Sequence, residues 1–414
     1  MNCTIQHVRF PLILVVVVSL VPTLVCSENP SPGPQQSLLP MLQIDWKRGP
    51  NLPQGFQDSD GGILSGQLIT VGGFCSGGLN ADNQHKPGRY PRGFLNKAWA
   101  LHLKRPSDGW HSITPFPGAP RQGLSAVHVG DALLFWGGFS YSEPFCYRDG
   151  WRLSRHEKAW KWDPLPPTPW PLSSPAMAVI GSRIYVFGGA DYDAMQFYTD
   201  VDRNGKTERL GARLLVIDAN RLEDGWQELP ACPGSPRWVH TMAAVDGKLY
   251  VLGGATGNTV RDGTSYGYCT VVDNWRFDPG SKKWTRLRDL AISSGNFPRS
   301  TSNVFKGRYV LLPGGHQYDY VSDLDGTIRK KYGTASSANP ASGLYNNVFV
   351  YDTRTDLFGT AGTLPIDNNL PMTVVRGNQV YLVGGETGGG VVLGEYYGHH
   401  PDLLLQGTIS TLPR

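Results

Sequence analysis

The chain has 414 residues, and its 51 glycines and 32 prolines make up about a fifth of it. That excludes a coiled coil or helical bundle, whose helices tolerate little Gly or Pro, while a 40% hydrophobic content excludes a disordered chain. With 17% charged residues, a formal net charge of +4 and no basic block, nucleic acid is not an expected partner.

In chain order, the first element is a targeting segment. Arg9 precedes an apolar stretch from Phe10 to Cys26, and the polar run Ser27-Glu-Asn-Pro-Ser-Pro-Gly-Pro follows at once. A basic flank, a short apolar run and an abrupt polar switch describe a secretory signal peptide over 1–26. The stretch is short for a membrane span, and Pro22 interrupts it. A flexible tail is expected over 27–40 and a single folded unit over 41–414. The expected location is secreted or lumenal, with no membrane span in the mature chain. There Cys75, Cys146, Cys232 and Cys269 can form two disulfides.

Downstream, a strand ending in a glycine pair recurs six times. The pairs are Gly72-Gly73, Gly137-Gly138, Gly188-Gly189, Gly253-Gly254, Gly314-Gly315 and Gly384-Gly385. An apolar run precedes each, as in Ala176–Ile180. A third strand follows at a distance, as in Asn347-Val-Phe-Val-Tyr-Asp352, and a fourth carries Trp and then Leu-Pro, as in Trp226–Pro230. Four short strands repeated six times predict an all-β, six-bladed β-propeller. The last repeat lacks an outer strand, and Leu42–Pro53 has the fourth-strand pattern, so an N-terminal strand should close the ring.

These repeats resemble the kelch family, in the paired glycines, in Tyr185, Tyr250 and Tyr381, and in the spaced Trp; Phe358 departs from the pattern where Trp is expected. The propeller places the long second-to-third-strand loops 74–94, 139–149, 190–211, 255–271, 316–344 and 386–400 on one face. Such loops on a rigid scaffold are where binding and catalysis concentrate. Tyr141, Tyr192 and Tyr318 in the loops, with Trp238 at a blade start, suit a sugar's alternating apolar and hydroxyl faces. Cys75 and Cys146 fall in loops of adjacent blades, Cys232 opens blade 4 and Cys269 lies in its loop, so pairs 75–146 and 232–269 are expected.

Arg121, Arg237 and Arg299 open first strands after proline. As planar forks they could clamp a carboxylate, or they could hold neighbouring loops, a common kelch use. Asp58 opens blade 1 at the equivalent place. Directly after the glycine pairs come Phe74, Phe139, Ala190, Ala255, His316 and Glu386. Only His316 and Glu386 titrate, and as imidazole and carboxylate across a funnel they could act as an acid–base pair.

Among secreted six-bladed kelch proteins, the chain is most similar in expected function to the sialic-acid mutarotase family, the N-acetylneuraminate epimerases. That resemblance implies metal-free acid–base isomerisation with no cofactor, carried by a loop Glu and an Arg. Arg261 lies in the matching loop, but beside Asp262 rather than after a Glu. The alternative is a non-enzymatic glycan- or protein-binding module. A copper oxidase of galactose-oxidase type would need seven blades, and the iron loop of plant specifier proteins has no counterpart. His399-His400 with Asp402 and Glu395 could ligate a metal; adjacent strand residues would point to opposite faces, an objection that lapses if they lie in a loop. The Asp319–Asp325 and Asp200–Asn204 runs superficially resemble calcium loops, yet Asp325-Gly326 and Asn204-Gly205 read more simply as hairpin tips.

Overall fold

The computed structural model describes residues 38–77, 90–157, 159–295, 297, 299, 302–332 and 343–412. The expected signal at 1–26 and the tail up to residue 37 lie outside the described residues. Among those described, no helix is long and apolar enough to cross a membrane.

Six four-stranded antiparallel sheets follow one another. Blade 1 runs Asp60–Leu64, Gln67–Val71, Ala98–His102 and Trp110–Ser112. Blade 2 comprises Gln122–Val129, Ala132–Phe139, Gly150–His156 and Ala159–Leu165, and blade 3 comprises Ala176–Ile180, Arg183–Phe187, Leu214–Asp218 and Gln227–Leu229. Blade 4 holds Thr241–Val245, Lys248–Leu252, Asn274–Asp278 and Lys283–Leu287; blade 5 holds Val304–Phe305, Tyr309–Pro313, Asn347–Asp352 and Leu357–Thr363. Blade 6 is made of Met372–Arg376, Gln379–Val383 and Leu404–Thr411, completed by Leu42–Arg48 from the other end of the sequence. This outer strand sets Ile44 opposite Ile409 and Trp46 opposite Gly407, as the repeat pattern predicts.

Apolar faces of adjacent sheets pack together across every gap. In the gap between blades 6 and 1, Met372, Val374, Val383 and Leu404 meet Leu68, Trp99 and Leu101. The ring is therefore closed. Backbone stitches reinforce it: the second glycine of a pair donates its N–H to the chain that opens the next blade. Gly73 reaches Arg121 O at 2.9 Å, Gly138 reaches Leu172 O at 2.8 Å, and Gly385 reaches Phe56 O at 2.9 Å. At the closing joint both glycines have positive φ, 62° and 109°. A Cβ on Gly384 would sit 2.5 Å from Phe56 O, so no other residue fits without displacing the next blade. At the rim, indole N–H groups of Trp110, Trp226 and Trp284 bond the carbonyls of Pro50, Pro166 and Pro230 in the preceding blade. That joint explains why Trp and Leu-Pro recur together. Phe358, which has no N–H, packs on Tyr351 instead, ring centroids 4.9 Å apart.

The long loops carry strand structure of their own among the described residues. Most contain a short hairpin, among them Asp191–Tyr192 with Phe197–Tyr198, Thr259–Arg261 with Thr264–Gly267, and Gly390–Val392 with Glu395–Tyr397. Asp262-Gly263 and Leu393-Gly394 have positive φ at both corners, the geometry that a tight hairpin turn requires. Asn204-Gly205 and Asp325-Gly326 are turns, with Asp202 and Asp325 accepting N–H groups of their own loops. The expected disulfides are not formed: Cys75, Cys146, Cys232 and Cys269 are buried free thiols. Each sulfur is committed locally, Cys146 to Ala190 O at 3.6 Å and Cys232 to Gly234 N at 3.3 Å. Burial pushes the Cys232 thiol up to about 12.

Leu42, 2% exposed in the closing strand, should be a keystone of this fold. Leu42→Ala is expected to cost about 2–4 kcal/mol, read as a lower midpoint in chemical denaturation of the full chain. An unchanged midpoint would mean that the closing strand does not hold the ring.

Candidate functional site

The residue after each glycine pair is fixed by an antiparallel bridge to the residue that opens the same blade. The bridged pairs are Gln57 with Phe74, Gln122 with Phe139, Ser173 with Ala190, Trp238 with Ala255, Gly295 with His316, and Asn369 with Glu386. In blades 3 and 4 the residue after the pair is alanine, and larger rings occupy the space that these small side chains leave. Trp238 and Phe197 stack at 4.0 Å between centroids, and Phe197 stacks in turn on Tyr192 at 4.4 Å. Phe139 meets Tyr192 edge-on at 5.1 Å.

These rings wall a cavity of about 330 Å³. Tyr141 and Tyr268 complete the aromatic wall, and Gln57, Asp58, Gln122, Asn369 and Glu386 supply polar groups. The volume lies at the lower end of the range for small-molecule sites. Burial, together with the nearby Tyr141 and Tyr268, pushes the Tyr192 phenol up to about 12. Trp238 is held by its indole N–H bond to Thr256 O at 3.2 Å.

Glu386 is the centre of the polar side. Its backbone N–H and C=O both bond Asn369, each at 2.8 Å. Asn369 Nδ2 also donates to Glu386 Oε2 at 2.8 Å, and His399 Nε2 lies 3.2 Å from Oε1. Burial would raise this carboxyl, but the hydrogen bond and charge of His399, with Asn369, outweigh it and hold it at about 2. Asp58 faces the same cavity and is paired with Arg299.

Of the expected site residues, the cavity brings together Glu386, Asp58, Trp238, Tyr141 and Tyr192. Arg299 lies directly behind Asp58, also bonding Leu124 O at 3.2 Å, and is 5% exposed. The remaining arginines are corrections to the expected anion clamp. Arg121 bonds Gly137 O and Asp149, and Arg237 bonds Gly253 O and Asp273. In both blades the Asp also accepts an indole N–H, from Trp151 and Trp275. Both guanidinium groups are consumed in holding the blade together. Arg261 sits exposed on a hairpin with Nη1 on the Val260 carbonyl, outside the described lining. His316 also stands back: its ring packs on Tyr318 at 4.7 Å, and its Nδ1 finds no hydrogen-bond partner among the described residues. Tyr318 in turn packs on Tyr268 at 5.9 Å. Sequence reasoning missed Tyr268 as a wall residue and Asn369 as the partner of Glu386.

For the histidine pair the structure takes the loop placement, in which the strand objection lapses. His399 and His400 follow a strand rather than lying in one, and their rings stack in parallel, 4.5 Å apart and 22° inclined. Glu395 instead pairs with Arg48, and Asp402 accepts the Tyr90 hydroxyl. Donor atoms of Glu386, His399 and His400 lie within 4.8 Å of one another, close enough to surround a metal ion. The donor chemistry does not fit one. His400 Nδ1 accepts the Ser76 N–H at 2.8 Å, which places the ring proton of the neutral imidazole on Nε2. Burial, then the neighbouring His399, lowers His400 to about 3 and keeps it neutral.

The fold and site thus define a kelch-type β-propeller with an aromatic-walled cavity on one face. A family model for the KLHDC2/KLHL20/DRC7 Kelch-repeats domain matches residues 123–326, so the chain carries kelch repeats. Curated relatives of the chain include N-acetylneuraminate epimerases. The protein of that name from Haemophilus influenzae (strain 86-028NP) is 25% identical over 372 residues, 83% of this chain and 89% of the relative. The one from Pasteurella multocida (strain Pm70) is 23% identical over 368 residues, covering 82% and 89%. That from Yersinia pestis (strain Pestoides F) is 28% identical over 187 residues, covering 42% and 47%.

Two outcomes follow from this geometry. Arg237→Gln leaves Asp273 buried without its counterion and should destabilise the chain by about 3–5 kcal/mol; a variant that keeps its stability but loses a ligand would restore the clamp. Glu386, held at about 2 against an ordinary 4.5, contributes stability that is complete above 4.5 and lost as pH falls towards 2. The stability gap between the wild-type chain and Glu386→Gln, measured by denaturation across that window, should therefore shrink as the solution is acidified.

Proposed function

We propose that the cavity binds a small sugar and speeds the interconversion of its anomers by acid–base chemistry at Glu386. The observation that carries this reading is the placement of an ionised carboxylate against a wall of Tyr192, Phe197 and Trp238. Aromatic faces take the apolar side of a pyranose, leaving its hydroxyls to Glu386, Asn369, Gln57 and Gln122. The N-acetylneuraminate epimerase name of the relatives, which align over most of their length, supports the same reaction class here. Secretion through residues 1–26 belongs to the proposal, and N-terminal sequencing of the exported chain tests it.

Opening a sugar ring at the anomeric carbon needs a group to take the anomeric O–H proton while the ring oxygen acquires one. Glu386 accepts the first proton. The electrons of the O–H bond form the carbonyl, the ring C–O bond breaks, and its oxygen is protonated from solvent or from a wall phenol. Closure on the other face reverses every transfer, so no proton or electron is gained overall.

NMR exchange spectroscopy with N-acetylneuraminate, and with N-acetylmannosamine as its uncharged counterpart, tests the proposal. Accelerated exchange is expected with at least one of them. Glu386→Gln should slow it about 100-fold or more with binding retained, and Trp238→Ala should weaken binding roughly tenfold. Saturable binding with exchange no faster than in buffer would sink the catalytic reading and leave a sugar-binding module.

A further inference from the structure

Glu386 does not stand alone behind the cavity wall, and the group behind it has a defined tautomer. His399 Nδ1 lies 3.1 Å from the carbonyl oxygen of Thr387, which can only accept a hydrogen bond, so Nδ1 carries a proton. Its Nε2, 3.2 Å from Glu386 Oε1, is then either a lone pair or a second N–H. A lone pair facing an ionised carboxylate oxygen is repulsive, so a proton shared between ring and carboxylate is favoured, and its loss makes Glu386 the stronger base. The other carboxylate oxygen is fixed by Asn369. His399 is about a quarter exposed, as is Glu386, yet only Glu386 is among the described residues lining the cavity.

We propose that His399 is the positioning partner of Glu386, completing a carbonyl–imidazole–carboxylate chain from Thr387 to the cavity that stores and returns the proton exchanged with a bound sugar. The proposal deepens the isomerase reading and rests on it for the catalytic half. With His399 neutral, Glu386 takes the anomeric proton and donates it in a hydrogen bond to the Nε2 lone pair, which stabilises the protonated carboxyl until the ring recloses. With His399 protonated, the pair is locked as an ion pair and the carboxylate is a weaker base. Exchange should therefore be slow at low pH and rise as His399 loses its proton.

Among the described residues, these charged and titratable groups bear on the chain. Asp58, paired with Arg299, and His316 face Glu386 electrostatically. His400 stacks on His399, and Arg92 acts on His400 from the loop of blade 1. The low acidity range of Glu386 agrees with the pairing.

The test has two readouts on the full chain. Imidazole nitrogen NMR across pH should show His399 protonated at Nδ1 throughout, with Nε2 titrating, and Glu386→Gln should move that titration down by about one unit or more. In parallel, N-acetylneuraminate and N-acetylmannosamine exchange should rise with pH through the His399 titration in the wild-type chain. His399→Asn should flatten the profile and slow exchange at least about tenfold, with sugar affinity kept. An unprotonated Nδ1, a titration indifferent to Glu386→Gln, or stoichiometric zinc uptake by the untreated chain lost in His399→Asn would overturn the proposal. Should neither sugar be exchanged, the isomerase reading falls, and the imidazole titration still decides whether the pair exists.

Discussion

The structure depends on one backbone joint repeated around the ring: in five of the six glycine pairs, among the described residues, the second glycine gives its N–H to the chain opening the next blade. Gly73, Gly138, Gly189, Gly315 and Gly385 all make it, with partners Arg121, Leu172, Arg237, Asn368 and Phe56. The joint requires the strand end to turn in a left-handed conformation and to approach a neighbouring backbone closely, and glycine meets both demands. It also determines where chemistry can occur. Because the turn is fixed, the next residue is fixed, and its bridge to the blade start leaves it little freedom. Phe139, Ala190, Ala255 and Glu386 occupy one position repeated by the fold, and their differing sizes shape the cavity.

This explains why the architecture was legible in the sequence. The glycine pair, the preceding apolar strand and the following Trp with Leu-Pro are local signals, each about ten residues long or less. The closing strand was legible for the same reason, since Trp46 to Pro53 repeats a pattern seen in other blades. Glu386 and the ring of blade starts could be found because they are counted from those signals. The fate of the arginines could not be read in that way. Arg121 meets Asp149 and Arg237 meets Asp273, partners 28 and 36 residues away across variable loops, whereas Arg299 reaches Asp58 from 241 residues away. A guanidinium in a sequence is equally suited to a ligand carboxylate and to a protein one. Only the fold shows which is present.

The cysteines and histidines failed for a different physical reason. Loop membership places a residue on a face but not at bonding distance, and a disulfide needs close Cβ atoms. Turns inside the loops send side chains a few residues apart inward or outward. Thus Cys146 packs among Phe139 and Tyr192, while Tyr141, close by in sequence, is exposed. For His399 and His400 the sequence left strand and loop placements open, with opposed side chains only in the first. Lying past the strand end, they stack, and the backbone partners Thr387 and Ser76 set their tautomers.

Both acidic groups in the cavity have their counterions on the protein side. Asp58 is backed by Arg299 and Glu386 by His399. A carboxylate removed from water without such backing would take up a proton rather than stay charged, and its oxygens would then be poorer acceptors for a sugar hydroxyl. The two backings are not equivalent. A guanidinium stays charged at any pH a protein meets, so the counterion of Asp58 is permanent, although burial still raises that carboxyl above its ordinary range. An imidazole can give up its proton near neutrality, so the environment of Glu386 can change during a reaction while that of Asp58 cannot. On the proposed isomerase reading the asymmetry gives orientation to one carboxylate and proton exchange to the other, and it arises on neighbouring blades, 1 and 6, that meet at the closing joint.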